Sequence, residues 1–314
     1  MNKIIYFIIA HRNPAQVERL IRKLEGPDTV FYVHLDIRSD MGEYRYLESD
    51  GVRFISNRVA CVWADYAFVQ AVLNLAEVAL ADGQQGMMVL LSGQDYPLRP
   101  AEEIRVFFLR HMDKNFITCM PLEEAWPEFS CYRRRETYKV NFSDKRADFA
   151  FFKGIDLMLI NCLLKGRVGL DIFKLIFKKR VEPFRLYGGS AWWAINTKTF
   201  EKILRFMEMR GEEMQEYFQY TYCADEEFFQ SLLMEILNGD TSSILPSVTY
   251  VNWTRPNCEL PVTFGAGDLE ELKEKASDFL FARKFVMDKY GEILDDIDRY
   301  LLVCERITTE ENTD

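Results

Sequence analysis

Three consecutive acids, Asp225, Glu226 and Glu227, are followed at once by two phenylalanines in the stretch ADEEFFQSLL. Acids usually lie in water and phenylalanines in cores, so this boundary has three interpretations: a solvated helix start, a metal site, or a carboxylate at a pocket edge. As a helix start, Asp225 is the N-cap, and Glu226 and Glu227 lie in the first turn, where the helix dipole favours anions. As a pocket edge, one acid caps the helix while another takes a proton from a substrate. These two interpretations are compatible.

The usual metal-binding patterns are missing from the sequence. The chain has three histidines without an HExxH motif, and its seven cysteines are scattered without a C-x-x-C pair. The one Asp-x-Asp, Asp296–Asp298, lies in EILDDIDRYL, whose apolar spacing predicts a surface helix. We therefore expect no metal or other cofactor, and the dispersed cysteines predict reduced thiols.

Two adjacent cations, Arg283 and Lys284, stand between phenylalanines in FLFARKFVMDKY. If this stretch is a helix, neighbouring side chains point in different directions, so we expect one cation inward and one solvated. A diphosphate leaving group that binds no metal needs Arg or Lys to neutralise it. The pair is thus a candidate phosphate site, with two solvated charges as the alternative.

The first 120 residues alternate between apolar runs and amphipathic stretches. The predicted strands are 3–10, 30–36, 52–56, 87–93 and 116–120, and the predicted helices follow Asn13 and cover 63–83 and 101–110. This succession predicts an α/β fold with a mixed, mainly parallel sheet flanked by helices. Ligands of such sheets bind beyond the carboxyl ends of the strands. The polar residues at those ends are His11, Asp36, Ser92, Gln94 and Asp95.

The middle of the chain is different in character. Residues 130–146 are locally basic, and 151–180 combine bulky apolar residues with seven Lys or Arg and two Asp. The second segment suits an element that docks on anionic lipid. The alternative is a helical pair packed on the core with solvated cations.

The remaining residues return to strand and helix patterns. The sequence predicts a glycine-punctuated strand at 188–196, a helix at 197–209, a strand at 247–253 and a helical C-terminal region. No G-x-x-x-x-G-K-[ST] or G-x-G-x-x-G motif is present, and GGSAWW is more typical of a tight turn than of a phosphate loop.

We therefore predict a single domain over 1–314. It is divided into a first half (1–120), a basic helical insertion (121–185) and a last half (186–314), and the family resemblance given below implies nucleotide binding for the first half and acceptor binding and catalysis for the last.

Composition limits the partners and the location. The net charge of −10 argues against nucleic-acid binding, which needs a basic surface. The N-terminal apolar run is too short for a membrane span and lacks a small-residue cleavage site. We expect a cytoplasmic protein, peripheral on the inner face of the membrane if 151–180 binds lipid. The tail TTEENTD is the one stretch expected to be frayed.

Several motifs, taken in order, resemble glycosyltransferase family 14, the core-2/I-branching β-1,6-N-acetylglucosaminyltransferases and their xylosyltransferase relatives, in a bacterial type. They are YFIIAHRNPAQVERLIRKL, FYVHLD, VWADYAFVQAVLNL, LLSGQDYPLRPAEEI, GGSAWWAINTKTFEKIL, ADEEFFQSLL and TFGAGDLEELKEKASDFLFARKF. The resemblance covers 3–120 and 186–303, whereas 121–185 match loosely. It implies a glycosyltransferase A-type fold, a UDP-sugar donor, a glycan or glycolipid acceptor, inversion and no metal requirement.

The resemblance also implies roles for residues near the acids. The family's PDE base motif falls on 224–226, so Glu226 is the expected catalytic base, which leaves Glu227 as the expected solvated member of the three acids. The implied acceptor-binding residues are Asp225, Arg133, Trp193 and Glu124 or Glu123. Trp193 has a packing role in the core as its alternative.

On the donor side, Lys284 matches the family's phosphate-binding lysine. Glu259 stands where the family has a second phosphate-binding arginine, so Arg255 is the candidate replacement and Arg283 the next. The other implied donor-binding residues are His11, Asp36 and Asp95, the last with a turn role before Pro97 as its alternative.

The predicted function is transfer of a sugar, GlcNAc first, from a UDP-sugar to a glycan hydroxyl. A xylosyltransferase that uses UDP-xylose is one alternative. Another is a carbohydrate-binding protein of the same fold without catalysis, against which the presence of both Glu226 and Lys284 argues.

Overall fold

The computed structural model describes residues 2–146, 148–154 and 179–303, together with a few positions between 160 and 177. The tail predicted to be frayed lies outside the described residues, as does most of the 151–180 segment predicted to dock on lipid.

Nine α-helices are present in the described residues. They are α1 (Pro14–Leu24), α2 (Ala67–Ala81), α3 (Ala101–Arg110), α4 (Leu122–Ala125), α5 (Glu128–Glu136), α6 (Thr197–Phe218), α7 (Phe228–Ile236), α8 (Leu269–Lys275) and α9 (Met287–Tyr300). Within the same residues, fourteen strands form the sheets. They are β1 (Lys3–Ala10), β2 (Thr29–Leu35), β3 (Val52–Phe54), β4 (Gly86–Ser92), β5 (Asp95–Pro97), β6 (Asn115–Phe116), β7 (Met120–Pro121), β8 (Tyr138–Asn141), β9 (Phe149–Phe152), β10 (Tyr187–Gly188), β11 (Ala194–Asn196), β12 (Ile244–Leu245), β13 (Thr249–Val251) and β14 (Phe281–Arg283).

The central sheet has seven strands in the order β12-β6-β11-β4-β1-β2-β3. β1 is parallel to both β2 and β4, with Ile4 opposite Thr29 on one side and Met87 on the other. β11 is antiparallel to β4 and β6. The predicted α/β fold with a mixed, mainly parallel sheet and flanking helices is thus confirmed.

Each face of this sheet has its own core. Side chains of a strand alternate between the two faces, so Tyr6 shares one core with Leu20 of α1, and Phe7 shares the other with Val72 of α2. Every residue of β1 after Lys3 is buried. Burial on both faces explains why this strand is a continuous apolar run.

A smaller sheet, β13-β14-β5, joins two distant parts of the sequence. β14 pairs antiparallel with β5, with Arg283 opposite Asp95 and Phe281 opposite Pro97. Arg283 therefore lies in a strand and not in the helix predicted for this stretch.

The other predicted elements differ mainly in length. The predicted 188–196 strand is two short strands, β10 and β11, because Gly189 and its neighbours form a turn between them. The helix predicted at 197–209 continues to Phe218 as α6. Among the described residues no helix is both long and apolar enough to span a membrane, and the cysteines that the structure describes are free thiols.

Candidate active site

The three acids form a tight turn before α7 and do not begin it. Ala224–Glu226 is a short 3-10 helix, and the N-cap of α7 is Glu227, whose side chain makes no capping hydrogen bond. The prediction that Asp225 caps the helix is therefore wrong. The turn follows Cys223, whose backbone is left-handed with φ 53, and it directs neighbouring acids to different sides.

Arg134 of α5 binds two of these acids at once. Its Nη2 donates to Glu226 Oε2 at 2.5 Å and its Nη1 to Glu227 Oε1 at 2.9 Å. Nη1 also donates to the carbonyls of Tyr222 (3.1 Å) and Cys223 (3.3 Å). The Arg134 side chain is only 3% exposed. A planar guanidinium with several fixed donors suits such a shared role.

Glu227 is completely buried, so the prediction that it is the solvated member of the three is wrong. Burial raises the pKa of Glu227 to about 7, against the opposing attraction of the Arg134 charge. Glu226 is 24% exposed. Because burial disfavours the charged form, Glu227 keeps its proton at pH values at which an ordinary glutamate is ionised.

Asp225 lies between the acids and the cations of the site. Burial and the neighbouring Glu226 charge raise the pKa of Asp225 to about 7. Its Oδ1 is buried and has no hydrogen-bond partner in the described residues. Asp225 and Glu226 both interact electrostatically with Arg283, which places acids and cations in one cleft.

Glycines allow the close packing behind Arg134. Its guanidinium lies 3.8 Å from the centre of the Trp126 ring, and a Cβ at Gly188 would overlap that ring. Gly189 approaches Thr118 as closely, and its amide donates to the Glu226 carbonyl at 3.0 Å. The GGSAWW stretch thus forms a turn, as predicted, and this turn supports the acid segment.

Arg283 is held between an aromatic ring and a buried acid. Its guanidinium lies 3.8 Å from the centre of the Trp192 ring, and its Nε is 3.3 Å from Asp95 Oδ1. Asp95 is fully buried and accepts hydrogen bonds from the amide and hydroxyl of Ser92. Burial raises the pKa of Asp95 against the opposing Arg283 charge. Asp95, predicted to bind the donor, contacts Arg283 from below and positions it.

Lys284 follows Arg283 and lies among other cations. It makes no ion pair with a carboxylate in the described residues. Burial, and then the charges of Arg12, Arg283 and Arg146, lower the pKa of Lys284. Three cations thus act on Lys284 against one acid, Glu259, and an anion bound here would stabilise them.

Asp36 and His11 lie where predicted, at the carboxyl ends of β2 and β1. Asp36 accepts two hydrogen bonds from the Arg38 side chain, at 2.8 and 2.7 Å, and one from the Cys61 amide at 2.8 Å. Burial alone would raise the pKa of Asp36, but these hydrogen bonds lower it to about 2. Partial burial of the His11 ring, and then the Arg12 charge, lower the pKa of His11. Both Asp36 and Lys284 interact electrostatically with His11.

Four predicted site residues lie in other surroundings. Arg255 pairs with Asp268 at 2.7 Å and Glu271 at 2.6 Å, so two acids already neutralise it. Trp193 is 1% exposed and packs against Phe200 and Phe229. It therefore belongs to the core, and its neighbour Trp192 is the residue that faces the site.

The two acceptor-binding residues predicted near α5 are on the surface. Glu124 is exposed on α4. Arg133 lies 4.3 Å from the centre of the Phe129 ring and 4.8 Å from that of Phe151. Phe151 contacts Tyr222 at 5.2 Å between ring centres, so an aromatic surface connects Arg133 to the acid segment.

The residues that the sequence did not indicate are mainly partners of the predicted ones. They are Arg134, Trp126, Trp192, Arg38, Arg12 and Arg146. The run of three arginines at 133–135 indicated a local basic site but not which arginine turns inward. Within the described part of the chain, no three His, Cys, Asp or Glu side chains are grouped as metal ligands would be.

An acid turn and a set of cations thus lie together at the carboxyl edge of an α/β sheet. The family model described as Core-2/I-Branching enzyme matches residues 4–273. The chain belongs to this family of glycosyltransferases.

The chain is also similar to two curated xylosyltransferases. Xylosyltransferase 1 of Rattus norvegicus is 23% identical over 321 residues, which are 95% of this chain and 35% of that protein. Xylosyltransferase 2 of Homo sapiens is 23% identical over 321 residues, 95% of this chain and 34% of that protein. The chain therefore spans about a third of the length of these relatives.

Solved structures give a weaker likeness. The structure of a 4-diphosphocytidyl-2C-methyl-D-erythritol synthase matches with a TM-score of 0.38 and 12% identity, covering 88% of this chain and 100% of that one. A likeness of this size supports no argument about this chain.

Proposed function

We propose that this chain transfers a sugar from a UDP-sugar to a hydroxyl of a glycan or glycolipid by a single displacement that inverts the anomeric carbon. One observation carries the proposal: the Arg283 charge interacts with Asp225 and Glu226 as well as with Lys284. A carboxylate for the attacking group and cations for the leaving group therefore lie near one another.

Glu226 is the proposed general base. Arg134 binds its Oε2, and its Oε1 makes no hydrogen bond within the described residues. The acceptor hydroxyl gives its proton to Oε1 as its oxygen bonds to the anomeric carbon. The bond from that carbon to the β-phosphate oxygen breaks, and its electron pair leaves with UDP. A positioned base contributes roughly 10²–10⁴-fold to such a step.

Lys284 and Arg283 are the proposed ligands of the departing diphosphate. Burial lowers the pKa of both side chains, so each charge is costly without an anion and gains from one. Asp95 and Trp192 hold Arg283 in place. His11 and Asp36 lie on the far side of Lys284, where we propose that the uridine binds.

The sugar and the acceptor are part of the proposal. GlcNAc is proposed first because of the core-2/I-branching family. Xylose is the second candidate, supported by the two xylosyltransferase relatives. A carbohydrate-binding role without catalysis is less favoured, because the exposed Glu226 and the unpaired Lys284 are the groups that catalysis needs. Independence from metal, a cytoplasmic location and docking of 151–180 on anionic lipid stay predictions.

A donor screen tests the proposal. We expect UDP release from UDP-GlcNAc or UDP-xylose that increases when a glycan acceptor is added and persists in EDTA, with inverted anomeric configuration in the product by NMR. A strict Mn²⁺ requirement would contradict metal independence. Failure of any UDP-sugar to bind or react, with an acceptor panel present, would contradict the transferase itself.

A further inference from the structure

The hairpin formed by β8 and β9 is anchored over the donor side of the cleft. Its strands pair antiparallel from Tyr138–Phe152 to Asn141–Phe149. Internal hydrogen bonds order its turn: the Phe142 amide donates to the Asp148 carbonyl at 2.8 Å, and the Ser143 hydroxyl donates to the Asp148 carboxylate at 2.6 Å. The described residues of this turn, 142–146 and 148, therefore have a defined structure that can place a side chain.

Three contacts tie this hairpin to the loops that follow β2 and precede α2. Asp144 pairs with Arg38 at 3.2 Å, and the same Arg38 binds Asp36. The Asn141 amide donates to Asp65 Oδ2 at 2.6 Å. Lys139 Nζ donates to the Trp63 carbonyl at 3.0 Å. The turn is thus fixed beside the carboxyl end of β2.

Arg146 is the cation that this turn brings to the cleft. Its guanidinium lies 4.9 Å from the centre of the Trp63 ring, and its side chain is exposed. Within the described residues it has no carboxylate partner, because the nearby Asp144 binds Arg38. Arg146 is also one of the charges that act on Lys284. Two cations from different elements thus act on each other, and Glu259 is an acid that also acts on Lys284.

We propose that Arg146 is a ligand of the donor diphosphate, brought by the β8–β9 hairpin to the side of the cleft opposite β14. This inference rests on the proposed function and extends it to a segment outside the two regions that carry the site motifs. Lys284 and Arg146 then bind the diphosphate from two sides, while the Trp63 ring orients the Arg146 guanidinium by cation–π contact.

UDP affinity measured by calorimetry on the full chain tests this assignment. Arg146→Ala should weaken UDP binding about tenfold, since the free energy of a hydrogen bond to a charged group corresponds to roughly a factor of ten in affinity. Uridine, which lacks the phosphates, should bind the variant and the wild type alike. Lys145→Ala is the matched control, because it removes a neighbouring exposed cation from the same turn and should change UDP affinity less than twofold.

Each result separates this inference from the proposed function. If the wild type binds UDP and Arg146→Ala binds it as tightly, with the same melting temperature, the assignment of Arg146 is wrong and the proposed function stands. Equal losses of UDP affinity in Arg146→Ala and Lys145→Ala would also overturn the assignment. They would indicate that both side chains act only through the positive charge of the turn and that Arg146 makes no direct contact with UDP. If the wild type binds no UDP, the proposed function fails first.

Discussion

The cleft contains two pairs of adjacent like charges, Glu226–Glu227 and Arg283–Lys284, which are built in the same way. In each pair the more buried member is held by a buried partner of opposite charge, Arg134 for Glu227 and Asp95 for Arg283, and Arg134 also binds one oxygen of Glu226. The other member faces the cleft. In each pair, the charged residue that has a fixed partner thus supports its neighbour, which is available to bind the substrate.

The two pairs differ in what fixes them. Arg283 is in a strand whose backbone pairs with β5 and β13, so its position follows from the sheet. The acids lie in a short turn, and one side chain, Arg134, joins both of them to α5. The cation pair is therefore expected to tolerate loss of its buried partner, and the acid pair is not.

The largest effect is expected from Arg134→Met. The change leaves Glu227 buried without its donor and removes the group that orients Glu226, so we expect a loss of about 3–5 kcal/mol in the free energy of unfolding. Urea denaturation measures it. Arg135→Ala is the control, because Arg135 is a partly exposed residue paired with Glu182 and should cost less than about 1 kcal/mol. Equal losses in the two variants would show that Arg134 is not the central contact.

Glu227→Gln should change how stability depends on pH. The pKa of Glu227 is raised from 4.5 to about 7 in the folded chain. Between these values the folded state keeps a proton that the unfolded state releases, so stability falls as pH rises through this window. We expect the wild type to lose about 2–3 kcal/mol more than Glu227→Gln between pH 5 and pH 8.

Denaturant titrations across that pH range measure the difference. Glu235→Gln, an exposed glutamate on α7, should keep the wild-type dependence on pH. Parallel pH profiles for the wild type and Glu227→Gln would mean that Glu227 is ionised when buried, and that the charge balance around Arg134 is different.

A smaller effect is expected from Asp95→Asn. The amide keeps one acceptor oxygen, so it retains the contact with the Ser92 amide or those with the Ser92 hydroxyl and Arg283 but not both, and it removes a charge whose burial is itself unfavourable. We expect a loss of about 1–2 kcal/mol in unfolding free energy, with little change in UDP affinity, because strand pairing still holds Arg283. A loss as large as that of Arg134→Met would contradict the difference drawn between the two pairs.

Sequence patterns predicted the sheet well, since continuous apolar runs are typical of strands that are buried on both faces. The predicted strand at 3–10 agrees with β1 in the structure, and the pattern around the cap Asn13 gave α1. The environments of single residues were harder to predict from the sequence. In a strand, a shift of one residue changes the face, so the sequence did not distinguish Trp192 from Trp193.

The burial of Glu227 was also hidden from the sequence. Its partner Arg134 lies 93 residues away, inside a run of three arginines with the same local pattern. An acid in the first turn of a helix is usually solvated, and only this distant contact reverses that expectation. The acids were therefore correctly located, while their separate environments depend on the tertiary structure.

The central claim is that Glu226 is the base and not a donor-binding or structural acid. Its test is turnover with a UDP-sugar and acceptor, measured together with UDP affinity, for Glu226→Gln beside Asp225→Asn. We predict that Glu226→Gln loses roughly 10²–10⁴-fold in turnover, binds UDP like the wild type, and is impaired more than Asp225→Asn. Turnover near the wild-type rate in Glu226→Gln would contradict the account.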